Sequence, residues 1–503
     1  MKILLVNPPW VVGGKQGVRA GSRWPHLKIP EEERYMPFPF FLAYSSSLLK
    51  THNYKVKLID AIAEDISYKE FKKRILKYGP NLLLSEVSTP SLEHDLKLLK
   101  ELKKRTKFKL ALAGPDVNLF TEKFLHDNPF VDFVFIGEYE FTLLELCQAL
   151  NKKKEYRNIK GLLCRVGDKI YVNDRRELPD INKLPWPDRE NLPIFNYHDC
   201  PGGIPEPSAQ MHASRGCPYQ CVFCAWPPIM FGGSNYRTRH IKDVVDEMDF
   251  LKSKGFKSIY FDDDTFNIGK KRMLELAKEI LKRDLNLPWA FMGRADLSDK
   301  ETLVALRKSG LHAVKYGMES GVQKLVDNAN KRLDLKKAIE NIRITKQLGI
   351  KVHLTFTFGL PEETKKTIIE TVNLVLDLDP DSVQFSITTP FPGTKLYDDM
   401  KHKGNIVSFN WQDYDGNTKS VIKTNSLSPE ELKKAQEYAY KRWYEQKFLK
   451  KRYSKINPIK LFNVCLKENG LNYTLKKTIK YLQNKGYSYY FQNSRKSKVV
   501  VPK

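Results

Sequence analysis

Twice along this chain, short apolar runs alternate with stretches of helical spacing, and that alternation leaves few folds open. In the first third, residues 2–7, 55–60, 81–85, 109–113 and 133–136 read as strands, and 39–49, 68–78, 92–105, 119–127 and 140–150 as helices. Five strands, each followed by a helix, predict a doubly wound parallel sheet, an α/β domain whose ligands sit beyond the carboxyl ends of its strands. Those ends carry Asn7-Pro8-Pro9, Asp60-Ala61, Ser85 to Thr89, Gly114-Pro115-Asp116 and Gly137-Glu138-Tyr139-Glu140. From residue 206 the alternation resumes, with strands at 210–214, 258–262, 289–294, 312–319, 351–358 and 381–388. Helices fill 241–254, 270–283, 300–309, 335–348 and 364–378 between them. Six such repeats are too few for a closed eightfold barrel.

The expected domains are 1–155, a connector over 156–205, a second α/β domain over 206–400 and a basic helical region over 401–503. In the connector, 161–171 reads as a small hairpin, and Leu184-Pro-Trp-Pro-Asp-Arg189 is a link that cannot continue a helix. Ser428-Pro429-Glu430-Glu431 is a helix start with Ser as cap and Pro in the first turn. The tail from Ser494 reads as disordered.

A hydrophobic content of 41% with 12% aromatics excludes wholesale disorder in the 503 residues. No run approaches the roughly 18 apolar residues of a membrane span. Four of the seven cysteines (Cys147, Cys164, Cys200 and Cys465) are scattered, which speaks for a reducing cytosol rather than a disulfide framework. The net charge of +26 fits a lysine-rich solvated surface, an anionic membrane surface or nucleic acid, the last the weakest of the three. Residues 431–503 hold 19 Lys/Arg against four acidic residues. Tyr438, Trp443, Tyr444 and Phe448 alternate there with Lys441, Arg442, Lys447 and Lys450, a mixture suited to peripheral contact with an anionic membrane.

The other three cysteines lie within eight residues, Cys217-Pro-Tyr-Gln-Cys221-Val-Phe-Cys224. Three thiolates on one loop suit an iron–sulfur cluster or zinc. A structural zinc needs a fourth ligand, for which His212 is the nearby candidate. A 4Fe–4S cluster instead leaves one iron open.

Ser214-Arg215-Gly216-Cys217 through Cys224 resembles the signature of the radical S-adenosylmethionine (SAM) superfamily. The resemblance implies that Cys217, Cys221 and Cys224 each bind an iron of a 4Fe–4S cluster, that SAM chelates the fourth, and that an electron from a reducing donor cleaves SAM to a 5′-deoxyadenosyl radical. It implies a partial (β/α)6 barrel, with Phe223 packing near the adenine. It also places SAM contacts at Asp262 in Phe261-Asp262-Asp263-Asp264, at Arg294 and at Glu319 in Gly317-Met-Glu319-Ser320-Gly321. Arg294 could equally pair with an acidic neighbour, and Asp262 and Glu319 could be structural carboxylates. Gly359-Leu-Pro-Glu362-Glu-Thr resembles a family segment in which Gly stands where this chain has Glu362. "LLVNPP", "VKLIDA", "LAGPDV" and "VFIGEYEFT" resemble the cobalamin-binding domain that precedes many such barrels. Cobalamin contacts are then expected at Asn7, Ser85, Thr89, Gly114, Gly137 and Glu138. The Asp-x-His-x-x-Gly motif that supplies a cobalt ligand elsewhere is absent, which implies base-off binding. Trp226-Pro227 followed by Tyr236-Arg237-Thr238-Arg239 resembles a subgroup that tailors hopanoids, although Trp226 could be core and the two arginines surface charges.

The expected activity is methylation of an unactivated carbon in a lipid or natural-product substrate, with cobalamin as methyl carrier. The alternatives are a radical enzyme that forms or rearranges carbon–carbon bonds without methyl transfer and an RNA-modifying radical enzyme. The RNA-modifying enzymes carry a second cysteine trio in the N-terminal domain, and residues 1–146 contain no cysteine. A non-catalytic metal-stabilised nucleic-acid-binding module would have no use for carboxylates at strand ends such as Asp262 and Glu319.

Overall fold

The computed structural model of the chain describes residues 1–28, 34–114, 121–190, 192–416 and 419–453. Residues Pro115 and Asp116, the first two residues of the helix expected at 119–127, Cys465 and the tail from Ser494 lie outside the described residues.

The first sheet is built around Lys2–Asn7, whose side chains alternate between two apolar layers. Ile3 and Leu5 join one layer with Phe41, Leu42, Leu143 and Leu146. Leu4 and Val6 join the other with Phe71, Ile75, Leu98, Leu99 and Leu102. A strand that is apolar on both faces must be covered on both, and helices Phe40–Thr51 and Glu140–Asn151 cover one side while Tyr68–Tyr78 and Leu92–Arg105 cover the other. From edge to edge the strands run Lys169–Val172, Leu162–Val166, Phe133–Phe135, Lys109–Ala113, Leu82–Glu86, Lys2–Asn7 and Lys55–Asp60. The last five are parallel, as the alternation predicts. The expected hairpin is present as Leu162–Val166 and Lys169–Val172, and it extends this sheet in antiparallel sense.

The second sheet holds six parallel strands in sequence order: Ser208–Met211, Ser258–Phe261, Trp289–Gly293, Leu311–Glu319, Lys351–Phe358 and Ser382–Ile387. Its first and last strands are not paired with each other, so this is an open (β/α)6 arrangement. The strand expected at 210–214 is broken. Asp263 accepts the Ala213 backbone N–H at 2.9 Å and the Ser214 hydroxyl, which draws the chain out of the sheet. Ser214–Arg215 pairs instead with Arg237–Thr238 in antiparallel sense.

The excursion between the first strand and helix Phe40–Thr51 crosses from one sheet to the other. Arg19 donates from Nε to Asn7 Oδ1 at 2.9 Å on the first sheet, and Phe38 N–H donates to Gln210 Oε1 at 2.8 Å on the second. Helix Pro429–Tyr453 begins with a reciprocal cap, Glu431 N–H to Ser428 Oγ at 3.2 Å and Ser428 N–H to Glu431 Oε2 at 2.9 Å. No helix among the described residues is long and apolar enough to cross a membrane.

Candidate active site

The loop Cys217–Cys224 leaves the second sheet at its carboxyl end and is held from four directions. Gly216 N–H donates to Asp264 Oδ2 at 2.8 Å, and Asn235 N–H to the Cys217 carbonyl at 3.3 Å. Val222 N–H donates to the Ala329 carbonyl at 3.0 Å, and Asn330 Nδ2 to the Gln220 carbonyl at 2.9 Å. All three cysteines are free and half-buried. Cys217 Sγ lies 3.3 Å from Thr265 Oγ1. Burial pushes all three thiols up, and Lys331 opposes this at Cys217 and Cys221. Cationic groups beside three half-buried sulfurs suit a site that gathers thiolates on a metal cluster. Phe223 packs with Val222 against Leu325, Ala329 and Leu360.

A single tetrahedral zinc would hold its sulfurs about 3.8 Å apart, from Zn–S bonds of about 2.3 Å. Elsewhere among the described residues, His198, Cys200 and Glu206 place three candidate ligand atoms within 4.8 Å of one another. Both carboxylate oxygens of Glu206 are engaged by Arg34, at 2.6 and 3.1 Å. His212, the candidate fourth zinc ligand, is stacked on Phe40 with ring centroids 3.6 Å apart. Burial and the neighbouring arginines push its pKa far down.

Of the other expected SAM-site residues, Arg294 and Glu319 lie beside this loop, and Asp262 is held by Arg23. Arg294 donates to both carboxylate oxygens of Asp296, at 3.1 and 2.8 Å, and to the carbonyls of Lys331 and Arg332, both at 2.8 Å. Its guanidinium stacks on Tyr219, 3.7 Å from the ring centroid. Asp296 is thus its acidic neighbour, and the arginine braces the cysteine loop through Tyr219. Glu319 ends its strand in a left-handed conformation with φ +65° and pairs with the buried Lys331 at 2.9 Å. A side chain at Gly317 would come within 2.7 Å of Glu319 Oε1, so glycine there leaves room for this pair.

The three consecutive aspartates divide their work. Asp263 holds Ala213 and Ser214, and burial pushes its pKa up to about 7. Asp262 and Asp264 receive the two arms of Arg23, at 2.7 and 3.1 Å. Burial raises Asp262 to about 6 against the pull of Arg23. Arg23, on the excursion from the first sheet, went unnoticed in the sequence.

The expected cobalamin contacts at the strand ends of the first sheet form a buried polar network. Asn7 Nδ2 donates to Asp60 Oδ1 at 2.8 Å, and Tyr197 O–H donates to Asp60 Oδ2 at 3.1 Å. Ser85 and Thr89 are buried, Thr89 opening a short turn of helix. Gly114 has φ +139°, and a side chain there would meet the Val87 carbonyl at 2.1 Å. At Gly137, with φ +72°, it would meet the Met230 carbonyl at 2.8 Å. The Glu138 carboxylate reaches the paired segments Ser214–Arg215 and Arg237–Thr238, accepting from Arg215 at 3.1 Å and from Arg237 at 2.8 and 2.9 Å. Glu140 adds a second carboxylate, 2.7 Å from Arg215. Arg237 is thus an ion-pair partner and Arg239, bound to Asp243 and Glu247, is buried, so neither is a free surface charge. Trp226 is core, stacked on Phe41.

Comparison with known proteins agrees with this geometry. The radical SAM superfamily model matches residues 211–375. An uncharacterized methyltransferase of Pyrococcus horikoshii is 29% identical over 88% of this chain and 92% of its own. The anaerobic magnesium-protoporphyrin IX monomethyl ester cyclase of Cereibacter sphaeroides is 28% identical over 89% of this chain and 71% of its own. Among solved structures, the cobalamin-dependent SAM radical enzyme OxsB with aqua-cobalamin and SAM bound superposes with a TM-score of 0.66, at 16% identity, over 96% of this chain and 75% of that one. Residues 211–375 carry a radical SAM domain, and the chain is a radical SAM enzyme with a 4Fe–4S cluster and SAM as its cofactors. Its fold is shared with solved cobalamin-dependent radical SAM enzymes.

Proposed function

We propose that this protein is a cobalamin-dependent radical SAM methyltransferase acting on an unactivated carbon of a small-molecule substrate, of the lipid or natural-product class. The observation that carries the reading is the ion-paired cluster Glu138, Glu140, Arg215 and Arg237. It ties the strand ends of the first sheet to the residue two positions before the first cysteine. A corrin at those strand ends and a cluster on Cys217, Cys221 and Cys224 would then face each other across one interface.

In this reading residues 1–155 form the cofactor domain and 206–400 the barrel. Asn7, Ser85, Thr89, Gly114 and Gly137 line the corrin side. Phe223, Asp262, Arg294 and Glu319 surround SAM, with Arg294 positioning the cluster loop through Tyr219 and Asp262 held by Arg23. A cluster held by Cys217, Cys221 and Cys224 would supply the electron for SAM cleavage, and the chain's own residues would orient the two cofactors and exclude water. Cyclisation without methyl transfer is the second reading, favoured by the resemblance to the cyclase.

The test is anaerobic reconstitution with iron, sulfide and cobalamin. Changing Cys217, Cys221 and Cys224 together to Ala should abolish iron binding and 5′-deoxyadenosine formation in a folded protein. Persistence of 5′-deoxyadenosine would sink the assignment. Absence of bound corrinoid, or product without label from methyl-labelled SAM, would leave the cyclase reading.

A further inference from the structure

The inner face of the second sheet carries a row of polar side chains that none of the roles above uses. On Leu311–Glu319, Lys351–Phe358 and Ser382–Ile387, every second residue points away from the covering helices. Strand register sets them side by side: Met292, Lys315, His353 and Ser382 form one layer, and Gly317, Thr355 and Gln384 the next. Of these strands' residues, the outward ones (Val314, Tyr316, Leu354, Phe356, Val383 and Phe385) are buried. Lys315, His353 and Thr355 instead keep partial exposure although they lie on central strands, and Ser382 and Gln384 continue the row on the edge strand. These partly exposed polar side chains turn toward the inside of the barrel.

Two polar atoms on that face have no hydrogen-bond partner among the described residues, His353 Nε2 and the hydroxyl of the fully buried Tyr260. Lys315 Nζ and the Asp199 carboxylate make only a loose contact with each other, at 3.6 Å. The remaining lumenal charges are in close pairs, Arg23 with Asp262 and Lys331 with Glu319. His353 Nδ1 lies 2.8 Å from Ser382 Oγ, so with the serine donating, Nε2–H is free to donate. Burial holds this imidazole neutral, its pKa pushed down to about 3. Ammonium, imidazole N–H and phenol are all donors, and buried donors left without partners are costly.

Resting on the radical SAM reading above, we infer that the barrel lumen at Lys315, His353 and Tyr260 binds the anionic group of a polar substrate, a carboxylate or a phosphorus oxyanion. This narrows the substrate class away from wholly apolar lipids. Asp199 is the resident counter-charge that an anionic ligand displaces from Lys315.

Thermal-shift titration of the anaerobically purified full-length protein tests this, with succinate and methylphosphonate as probes and dimethyl succinate as the uncharged control. Both anions should raise the melting temperature, and dimethyl succinate should not. Lys315→Met should weaken the apparent affinity at least tenfold, Lys315→Arg should restore most of it, and Asp199→Asn should tighten it severalfold. A merely structural role would move Lys315→Met and Asp199→Asn in the same direction, and that outcome overturns the inference. So does stabilisation by dimethyl succinate equal to that by the anions. The triple cysteine variant should respond to the anions like the unaltered protein, so failure of cluster reconstitution bears on the enzyme class alone.

Discussion

Glu86 shows what a single residue costs at a strand end. Its carboxylate is buried, with the Tyr139 hydroxyl 3.4 Å away, and burial pushes its pKa up to about 8. An acid raised in the folded state binds more protons there than in the unfolded chain. Its contribution therefore favours folding below about pH 4 and is lost as pH rises toward 8. Glu86→Gln should flatten the fall in melting temperature between pH 5 and pH 8, and an unchanged slope would refute the assignment. Local chemistry of this kind was partly legible. Asp60 and Glu138 stood out as acids at strand ends, whereas Arg19 and Arg23 did not, because their partners lie 76 and 239 residues away in sequence. Lys315 and His353 did leave a signal. Polar residues at every second position of a strand whose other face is apolar mean that the polar face meets solvent or a cavity.

At the level of elements, runs such as Lys55–Asp60 and Lys351–Phe358 were legible to the residue, since apolar and β-branched composition and turn residues agree there. The strand expected at 210–214 failed because Asp263, almost fifty residues away, competes for its backbone. The turn before helix Lys365–Leu378 carries the departure at Glu362. That residue has φ +66°, a conformation in which glycine is free and other residues are strained. Glu362→Gly should therefore raise the melting temperature by roughly a degree or two despite the loss of its exposed ion pair with Lys324. A drop would show that the ion pair outweighs the backbone.

For the whole molecule, the two sheets are joined by charge as much as by apolar packing. Removing Arg23 leaves Asp262 and Asp264 without their counter-ion, a loss on the order of 2 kcal/mol or more for groups this buried. Arg23→Ala should speed hydrogen exchange in 208–215 and 258–264. Arg34→Ala, which breaks an exposed pair with Glu206, should leave it unchanged. Equal exchange in both variants would show that Arg23 does not hold the sheets together.

The connector residues 201–204 plug one end of the barrel. The Cβ of Lys351 and of Ala313 lie 2.6 and 2.7 Å from where a Gly202 side chain would begin, and Ile204 packs with Tyr260, Ala290 and Ala313. With that end filled, the inner face of the sheet is left open only at the carboxyl ends of the strands and along the unpaired edge between Ser208–Met211 and Ser382–Ile387.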